Sequence, residues 1–498
     1  MCGIAALWGE QDSETVAAIV QRMTHRGPDG QDVFTHAQLP VVLGHSRLAI
    51  IDPQGGAQPI RSTRGDRTIV TNGEIYNYKA LRQTLDPSAF TTDSDAEVAL
   101  HLYERDGPAC VERLDGMFAL VIQDGEQLFA ARDPLGIKPL YYGRRHGAWL
   151  FASEIRSLVG LAEDIREFPP GSWFHSQHGF NRYYRIPAPP AVMDEPQEAA
   201  IRQWVTALRA ALERAVDKWM VSDVPVGAFL SGGLDSSIIA ALARRHNDDL
   251  HTFAVGVAGS PDLLAARRVA EHIGSHHHEQ AFTLDEVIED LPTIIQALES
   301  DDVDLVRSAI PCNFVSRLAA RRVKAVLTGE GADELFAGYG YYRDYCDPQA
   351  LARELTRSLG TMHNINLQRV DRLTMAHSLE GRVPFLDSEL IELAQGIPAT
   401  LKLRNLPDGR QVEKWILRAA SEDLLPQDIV WRDKAQFDEG SGTTELLRQL
   451  VARLTGVEHD LQRQAEQDLY HRLLLKAYPD PRPVLDNIGT WTERRVAA

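Results

Sequence analysis

At 498 residues the chain is too long for a single hydrophobic core, so two or more domains are expected. Hydrophobic residues at 44% and charged residues at 24% are ordinary for a globular protein, and a formal charge of −18 argues against nucleic acid or anionic membrane as partners. Cys2, Cys110, Cys312 and Cys346 are dispersed without a C-x-x-C pattern, no apolar run reaches membrane-spanning length, and MCGIAALWGEQDSE lacks the features of a signal peptide; a cytoplasmic protein with free thiols is expected.

In chain order, short apolar runs come first: CGIAAL, VVLGHSRLAII, RTIVTNGEIY, GMFALVIQ, QLFAARD and AWLFASE. Gly, Asp and Pro separate them, which predicts antiparallel strands. Helical periodicity interrupts them at 14–24 and 95–105. The segment RIPAPPAVMDEPQEAA (185–200) carries Pro187, Pro189, Pro190 and Pro196, which forbid a continuous helix or central strand and mark a domain boundary. Beyond it helices and brief buried strands alternate: a helix over 201–219, strand VPVGAFL, helix SSIIAALARRH, strand HTFAVGV, a helix over 263–273 and strand VKAVLTG. Such alternation predicts a parallel sheet covered by helices. Past about residue 344 the pattern is mainly helical.

The first candidate centre is Cys2. Removal of Met1 leaves it a free α-amine whose ordinary pKa near ~8 suits it to act as the thiol's base. HRGPDG, GHSRLAIID, NGEIYNY, SDAEV and RDPLGIKPLYY follow in order. Together with MCGI they resemble the class II glutamine amidotransferase domain, almost continuously from Cys2 to about Tyr184. The resemblance implies an αββα sandwich of the N-terminal-nucleophile type in which Cys2 attacks a glutamine side-chain amide. In that setting Arg47 suits the α-carboxylate of glutamine and Asp95 its α-ammonium. Asn72 and the backbone N–H of Gly73 suit an oxyanion hole. Glu74 resembles the family residue that also contacts substrate polar groups.

The second centre is VGAFLSGGLDSSIIAALARR, a strand, a glycine loop and a helix. Gly232 and Gly233 permit close backbone approach, and the helix start offers N–H groups to an anion. No G-x-x-x-x-G-K-[ST] is present, so this is not a Walker-type loop. It resembles the SGGxDS pyrophosphate loop of enzymes that cleave ATP between the α and β phosphates. That makes Leu230, Ser231, Gly232, Gly233, Leu234, Asp235 and Ser236 candidate ATP contacts, with Asp235 a Mg²⁺ ligand.

Downstream, FAVG with Val255, TGEGADELFAGY, EGRVPFLD and WRDKAQFDEG resemble asparagine synthetases. By that resemblance Val255, Thr328 and Gly329 line the ATP site and Asp333 serves Mg²⁺. Glu330 serves the acceptor or a proton transfer, Arg307 the pyrophosphate, and Lys434 the α-phosphate. Where familiar family members carry Thr-Thr-x-Arg, this chain has Asp304-Leu305-Val306-Arg307, a carboxylate close to an expected anion site.

The expected organisation is a glutaminase domain over 1–185, a Pro-rich linker over 186–200, and an α/β parallel-sheet synthetase domain with a helical C-terminal part over 201–498. The implied substrates are glutamine, ATP with Mg²⁺, and a carboxylate acceptor, with aspartate expected and asparagine, AMP, pyrophosphate and glutamate as products. A biosynthetic amidotransferase acting on another carboxylate is the alternative that the Asp304-Leu305 departure keeps open. β-Lactam synthetases also resemble the family, but typically lack the nucleophilic cysteine. A catalytically silent binding protein fits poorly with Cys2, Asp235 and Asp333 all present. A homodimer and an internal ammonia channel complete the expectations.

Overall fold

The computed structural model describes residues 2–190, 197–432, 440–457 and 462–489. Its first part holds twelve strands in chain order: β1 (Gly3–Trp8), β2 (Gly30–Thr35), β3 (Val41–Arg47), β4 (Ile60–Arg61), β5 (Arg67–Ile75), β6 (Gly116–Asp124), β7 (Gln127–Arg132), β8 (Tyr141–Arg145), β9 (Ala148–Ala152), β10 (Glu163–Glu167), β11 (Ser172–His175) and β12 (Gly179–Arg182). They form two six-stranded sheets, ordered β10-β8-β9-β1-β3-β2 and β12-β11-β7-β6-β5-β4. Alternation along the strands explains the layering. Ile4, Ala6, Leu43, Val70, Val121 and Phe151 meet between the sheets. Ala5, Leu7 and Val42 point the other way and receive Val16, Ile19 and Val20 of helix α1 (Ser13–Arg22). The side chain of Asp12 starts that helix by accepting from the Thr15 N–H at 3.0 Å.

On the far side, α2 (Tyr78–Arg82) and α3 (Asp95–Asp106) cover the second sheet, with Val98 and Leu102 against Ile69, Leu120 and Ile122. The short α4 (Ile155–Leu158) follows β9. The result is the expected αββα sandwich.

The second part begins with α5 (Glu198–Trp219), which starts three positions ahead of the helix expected from periodicity. Its strands β13 (Val226–Phe229), β14 (His251–Gly256), β15 (His276–Ala281), β16 (Ala325–Leu327) and β17 (Glu380–Arg382) form one sheet ordered β15-β14-β13-β16-β17, with every neighbour parallel. Between them run α6 (Leu234–His246), α7 (Pro261–Ile273), α8 (Leu284–Leu298), α9 (Val303–Ala319), α10 (Ala332–Phe336), α11 (Pro348–Gly360) and α12 (Asn366–Met375). Strand order reverses between β13 and β16, so the crevice beyond their carboxyl ends is the expected ligand position.

The apolar pattern does not predict β15 and β17. The first, HHHEQA, is a polar edge strand; the second, EGR, buries an acid and a guanidinium that bond to each other at 2.6 Å. The two parts share a core, in which Tyr76 lies 4.7 Å, ring centre to ring centre, from Trp219. Among the described residues no helix is long and apolar enough to cross a membrane.

Candidate active sites

Cys2 leads into β1 of one sheet, and Asn72 sits within β5 of the other. The Cys2 backbone nitrogen donates to Asn72 Oδ1 at 3.0 Å. Asn72 is fully buried and, among the described residues, its Nδ2 has no hydrogen-bond partner, so a free donor belongs to the side chain that holds the Cys2 nitrogen. Only glycine fits at Gly73, where φ is +146° and a Cβ would lie 1.9 Å from the Met117 carbonyl. Burial pushes the Cys2 thiol above its ordinary pKa, so it needs a base to become a nucleophile.

Arg47 donates to the carbonyls of Asp52 at 2.6 Å and Pro53 at 3.0 Å, which orient its guanidinium without neutralising it. A Cβ on Gly56 would lie 3.1 Å from both Arg47 Nη2 and Ser94 Cβ, so the arginine reaches the start of α3, where Asp95 sits. Asp95 accepts from the Ile75 N–H at 2.8 Å, and burial raises its pKa to about 6. Glu74 is also raised, by burial first and then by Glu380, while Arg382 Nη2 lies 3.8 Å away. A half-buried cation and two buried acids of raised pKa suit a zwitterionic amino acid.

At the other centre β13 ends at Phe229, and the loop passes into α6. Ser236 Oγ bonds Ser231 Oγ at 3.0 Å and receives the Ser231 N–H at 3.1 Å, closing the loop on itself. Gly232 has φ +74°, and a Cβ there would meet Ala265 and Ala266 at 2.5 Å; α7 packs directly on the loop. A Cβ on Gly329 would lie 2.9 Å from Asp235 Cβ and from the Ser236 nitrogen, so the Thr328–Asp333 segment after β16 touches the start of α6. The Leu230 N–H bonds Phe253 O at 2.8 Å, and the Thr328 N–H bonds Arg382 O at 2.8 Å. Val255 and Leu234 are buried beside them. The two glycine-rich loops therefore meet at the switch point.

Lys414 joins their acids: its Nζ lies 2.5 Å from Asp235 Oδ2 and 2.6 Å from Asp333 Oδ1. Burial alone would lower its pKa, but the two carboxylates outweigh that and hold it above the ordinary lysine range. Among the described residues Asp235 Oδ1 is buried without a partner. Two carboxylates facing one positive charge suit a hard divalent cation that brings phosphate oxygens as its remaining ligands. Glu330 is raised by burial and paired with Arg369 of α12.

Two expected residues are placed elsewhere or lie outside the description. Arg307 is held by Glu466 at 2.9 and 2.6 Å rather than presented to the glycine loop. Lys434 lies outside the described residues. The departure at 304–305 also finds an explanation. Asp304 is paired with Arg463 at 2.9 and 2.8 Å, and Leu305 is fully buried in the apolar core, where a threonine hydroxyl would be out of place.

Sequence reasoning missed Lys414, Arg369 and the charged layer between the two parts. The only sign of Lys414 was a lone lysine opening the apolar run WIL. Arg26 is fully buried: its Nε donates to Cys2 O at 3.0 Å, Nη1 to Glu154 at 2.9 Å, and Nη1 and Nη2 to Asp371 of α12 at 2.8 and 3.1 Å. Next along α12, Arg372 Nη2 bonds Glu299 at 2.7 Å. One helix thus touches both centres, through Arg369 at Glu330 and through Asp371 at Arg26.

Comparison with known proteins agrees with this division. A glutamine amidotransferase domain family matches residues 1–183, and the asparagine synthase family matches residues 207–348 and 346–487. Asparagine synthetase [glutamine-hydrolyzing] 2 of Arabidopsis thaliana is 40% identical over 466 residues, covering 89% of this chain and 79% of that protein. A probable asparagine synthetase [glutamine-hydrolyzing] of Schizosaccharomyces pombe is 39% identical over 484 residues, covering 89% of this chain and 85% of that protein. The solved glutamine phosphoribosylpyrophosphate amidotransferase from B. subtilis aligns over 50% of this chain and 65% of its own, at 21% identity and a TM-score of 0.33. With two buried centres joined by one charged layer, and relatives matching across both, this chain belongs to the asparagine synthase family and carries a glutamine amidotransferase domain at its start.

Proposed function

We propose that the protein is a glutamine-hydrolysing asparagine synthetase. The observation that carries the reading is the presence in one chain of the Cys2–Asn72 pair and of Asp235 and Asp333 facing each other across the switch point. With Met1 removed, the nitrogen held by Asn72 Oδ1 is the α-amine, which takes the thiol proton as Cys2 attacks the glutamine amide. Asn72 Nδ2 and the Gly73 N–H donate to the oxyanion. Arg47 holds the α-carboxylate, and Asp95, with Glu74, the α-ammonium. Ammonia leaves, and water hydrolyses the γ-glutamyl thioester to glutamate.

In the second centre the aspartate side-chain carboxylate attacks the α-phosphate of ATP, forming an acyl-adenylate and expelling pyrophosphate. Ammonia then attacks the acyl carbon, giving asparagine and AMP. Residues Leu230 to Ser236, with Val255, Thr328 and Gly329, cradle the nucleotide. Asp235 and Asp333 would hold Mg²⁺, which offsets polyphosphate charge when bound. Glu330, raised by burial, accepts a proton from the attacking ammonia or contacts the acceptor. Lys434 is assigned to the α-phosphate; Arg307 reaches pyrophosphate only on release from Glu466. The other-acceptor reading rested on the departure at Asp304-Leu305; the pairing of Asp304 with Arg463 and the burial of Leu305 support aspartate instead.

Functional domains over 1–185 and 201–498, joined by the Pro-rich linker, belong to the same reading. A cytoplasmic setting, a homodimer, and no nucleic-acid or membrane partner complete it, supported by the charge of −18 and four free cysteines.

Mass spectrometry of products from glutamine, Mg-ATP and a panel of amino-acid carboxylates tests it. Asparagine, AMP and pyrophosphate are expected with aspartate. Amide formed only from another carboxylate, or ADP and phosphate in place of AMP, would overturn it. Cys2→Ala, or any residue left before Cys2, should abolish glutamine use and spare synthesis from ammonium chloride.

A further inference from the structure

Lys414 occupies the place where the proposed mechanism needs a metal. Its ammonium lies 2.5 Å from Asp235 and 2.6 Å from Asp333, within reach of both carboxylates at once. The position is built rather than incidental. Lys414 is 2% exposed and adopts φ +53°, in the left-handed region that costs a non-glycine residue energy and that gathers at functional sites. Its backbone N–H is tied to Phe336 O at 3.1 Å, where α10 ends. Its side chain runs past Gly338, where a Cβ would stand 2.2 Å from Lys414 Cε and 1.8 Å from Asp333 Oδ1. Any side chain at 338 would displace the lysine, the acid or both.

We infer that Lys414 is a resident counter-cation that keeps Asp235 and Asp333 closed to divalent metal until nucleotide arrives. Two half-buried carboxylates that both contact one ammonium repel unless a positive charge lies between them. Lys414 supplies that charge within the chain. A divalent cation has to displace an ammonium already in contact with both acids, and the carboxylates alone offer it too few oxygens in return. Among the described residues no cluster of three or more His, Cys, Asp or Glu suits a metal. Phosphate oxygens supply the missing ligands and also give the released ammonium an anion to face. Metal and nucleotide therefore bind as one unit, and Lys414 is a positioning residue for their acids. This rests on the reading of Asp235 and Asp333 as the metal-holding pair.

The test is Mn²⁺ binding to the full-length protein, followed by the paramagnetic signal of the free ion, with and without a non-hydrolysable ATP analogue. Wild type should bind Mn²⁺ weakly alone and at least about tenfold more tightly with the analogue. Lys414→Gln should take up Mn²⁺ without nucleotide at least about tenfold more tightly than wild type, and should gain thermal stability from the metal where wild type does not. Lys414→Arg, which keeps the charge, should stay as weak as wild type without nucleotide. Adding Asp333→Asn to Lys414→Gln should remove the gained binding. Wild type that binds Mn²⁺ equally well with and without nucleotide overturns the inference, whichever variants fold. A folded Lys414→Gln with wild-type weakness also overturns it. No Mn²⁺ uptake in the presence of the analogue would instead defeat the assignment of the two acids.

Discussion

Replacing Asn72 separates the two tasks its side chain performs. Oδ1 accepts from the Cys2 nitrogen at 3.0 Å, while Nδ2 has no partner among the described residues. Asn72→Asp keeps an acceptor for Cys2 but removes the donor and sets a negative charge where the oxyanion forms. Asn72→Ala removes both. Loss of one oxyanion donor costs about 10²–10³ in kcat, equivalent to about 2.7–4 kcal/mol. The hydrogen bond to Cys2 is worth about 0.5–1.5 kcal/mol of stability, which the alanine variant should lose in denaturant unfolding. Glutamate release, coupled to glutamate dehydrogenase, should fall by the full factor in both variants. Pyrophosphate release with ammonium chloride should be unchanged in both, because the ATP centre lies in the other half. A fall in glutaminase kcat below about tenfold, or equal loss of the ammonia-dependent reaction, refutes the donor role.

Three further outcomes are expected. Burial raises Asp95 to about 6 in the free protein, so its carboxylate is lost as pH falls through that value; kcat/KM for glutamine should then fall below about pH 6 while kcat at saturating glutamine stays flatter, as a pH series would record. Asp371→Leu leaves the buried Arg26 guanidinium short of one acid, and should cost about 3–5 kcal/mol in urea unfolding and lower glutaminase activity; adding Arg26→Met should recover stability but not activity. Asp304→Thr should leave aspartate-dependent pyrophosphate release unchanged, whereas Leu305→Thr should lose about 1–3 kcal/mol on burying a hydroxyl in the apolar core; equal stability of the two single variants would contradict that placement.

The sandwich was legible because alternating apolar strands with turn residues between them admit few packings, and α1 carries helical periodicity over its buried face. The two loops, and the stretch of β5 at Gly73, were legible because glycines at 73, 232 and 329 are forced by close backbone approach, which leaves a mark in the sequence. What escaped was buried charge. β17 escaped the apolar pattern because its Glu380 and Arg382 are charged residues buried by the fold, where they bond each other. Lys414 reads as a surface lysine because its acids lie far back in the sequence, at 235 and 333. Arg307 looked free for an anion because Glu466 stands 159 positions away. Periodicity reports which faces are apolar, and says nothing about which distant ions will neutralise each other.

The grip of Arg26 on the Cys2 carbonyl bears on how such a protein can be recombined. The acid that holds this arginine from the second half lies 345 positions further along the chain. Part of the instruction for shaping the nucleophile's surroundings is thus written in the synthetase half. A transplant of residues 2–183 onto a different ligase must find there a helix presenting an acid at the equivalent place, or Arg26 enters the new interface with Glu154 as its remaining carboxylate. The seam between the two halves is therefore inherited as a matched pair, and the glutaminase is not a cassette that can change hosts with its own residues alone.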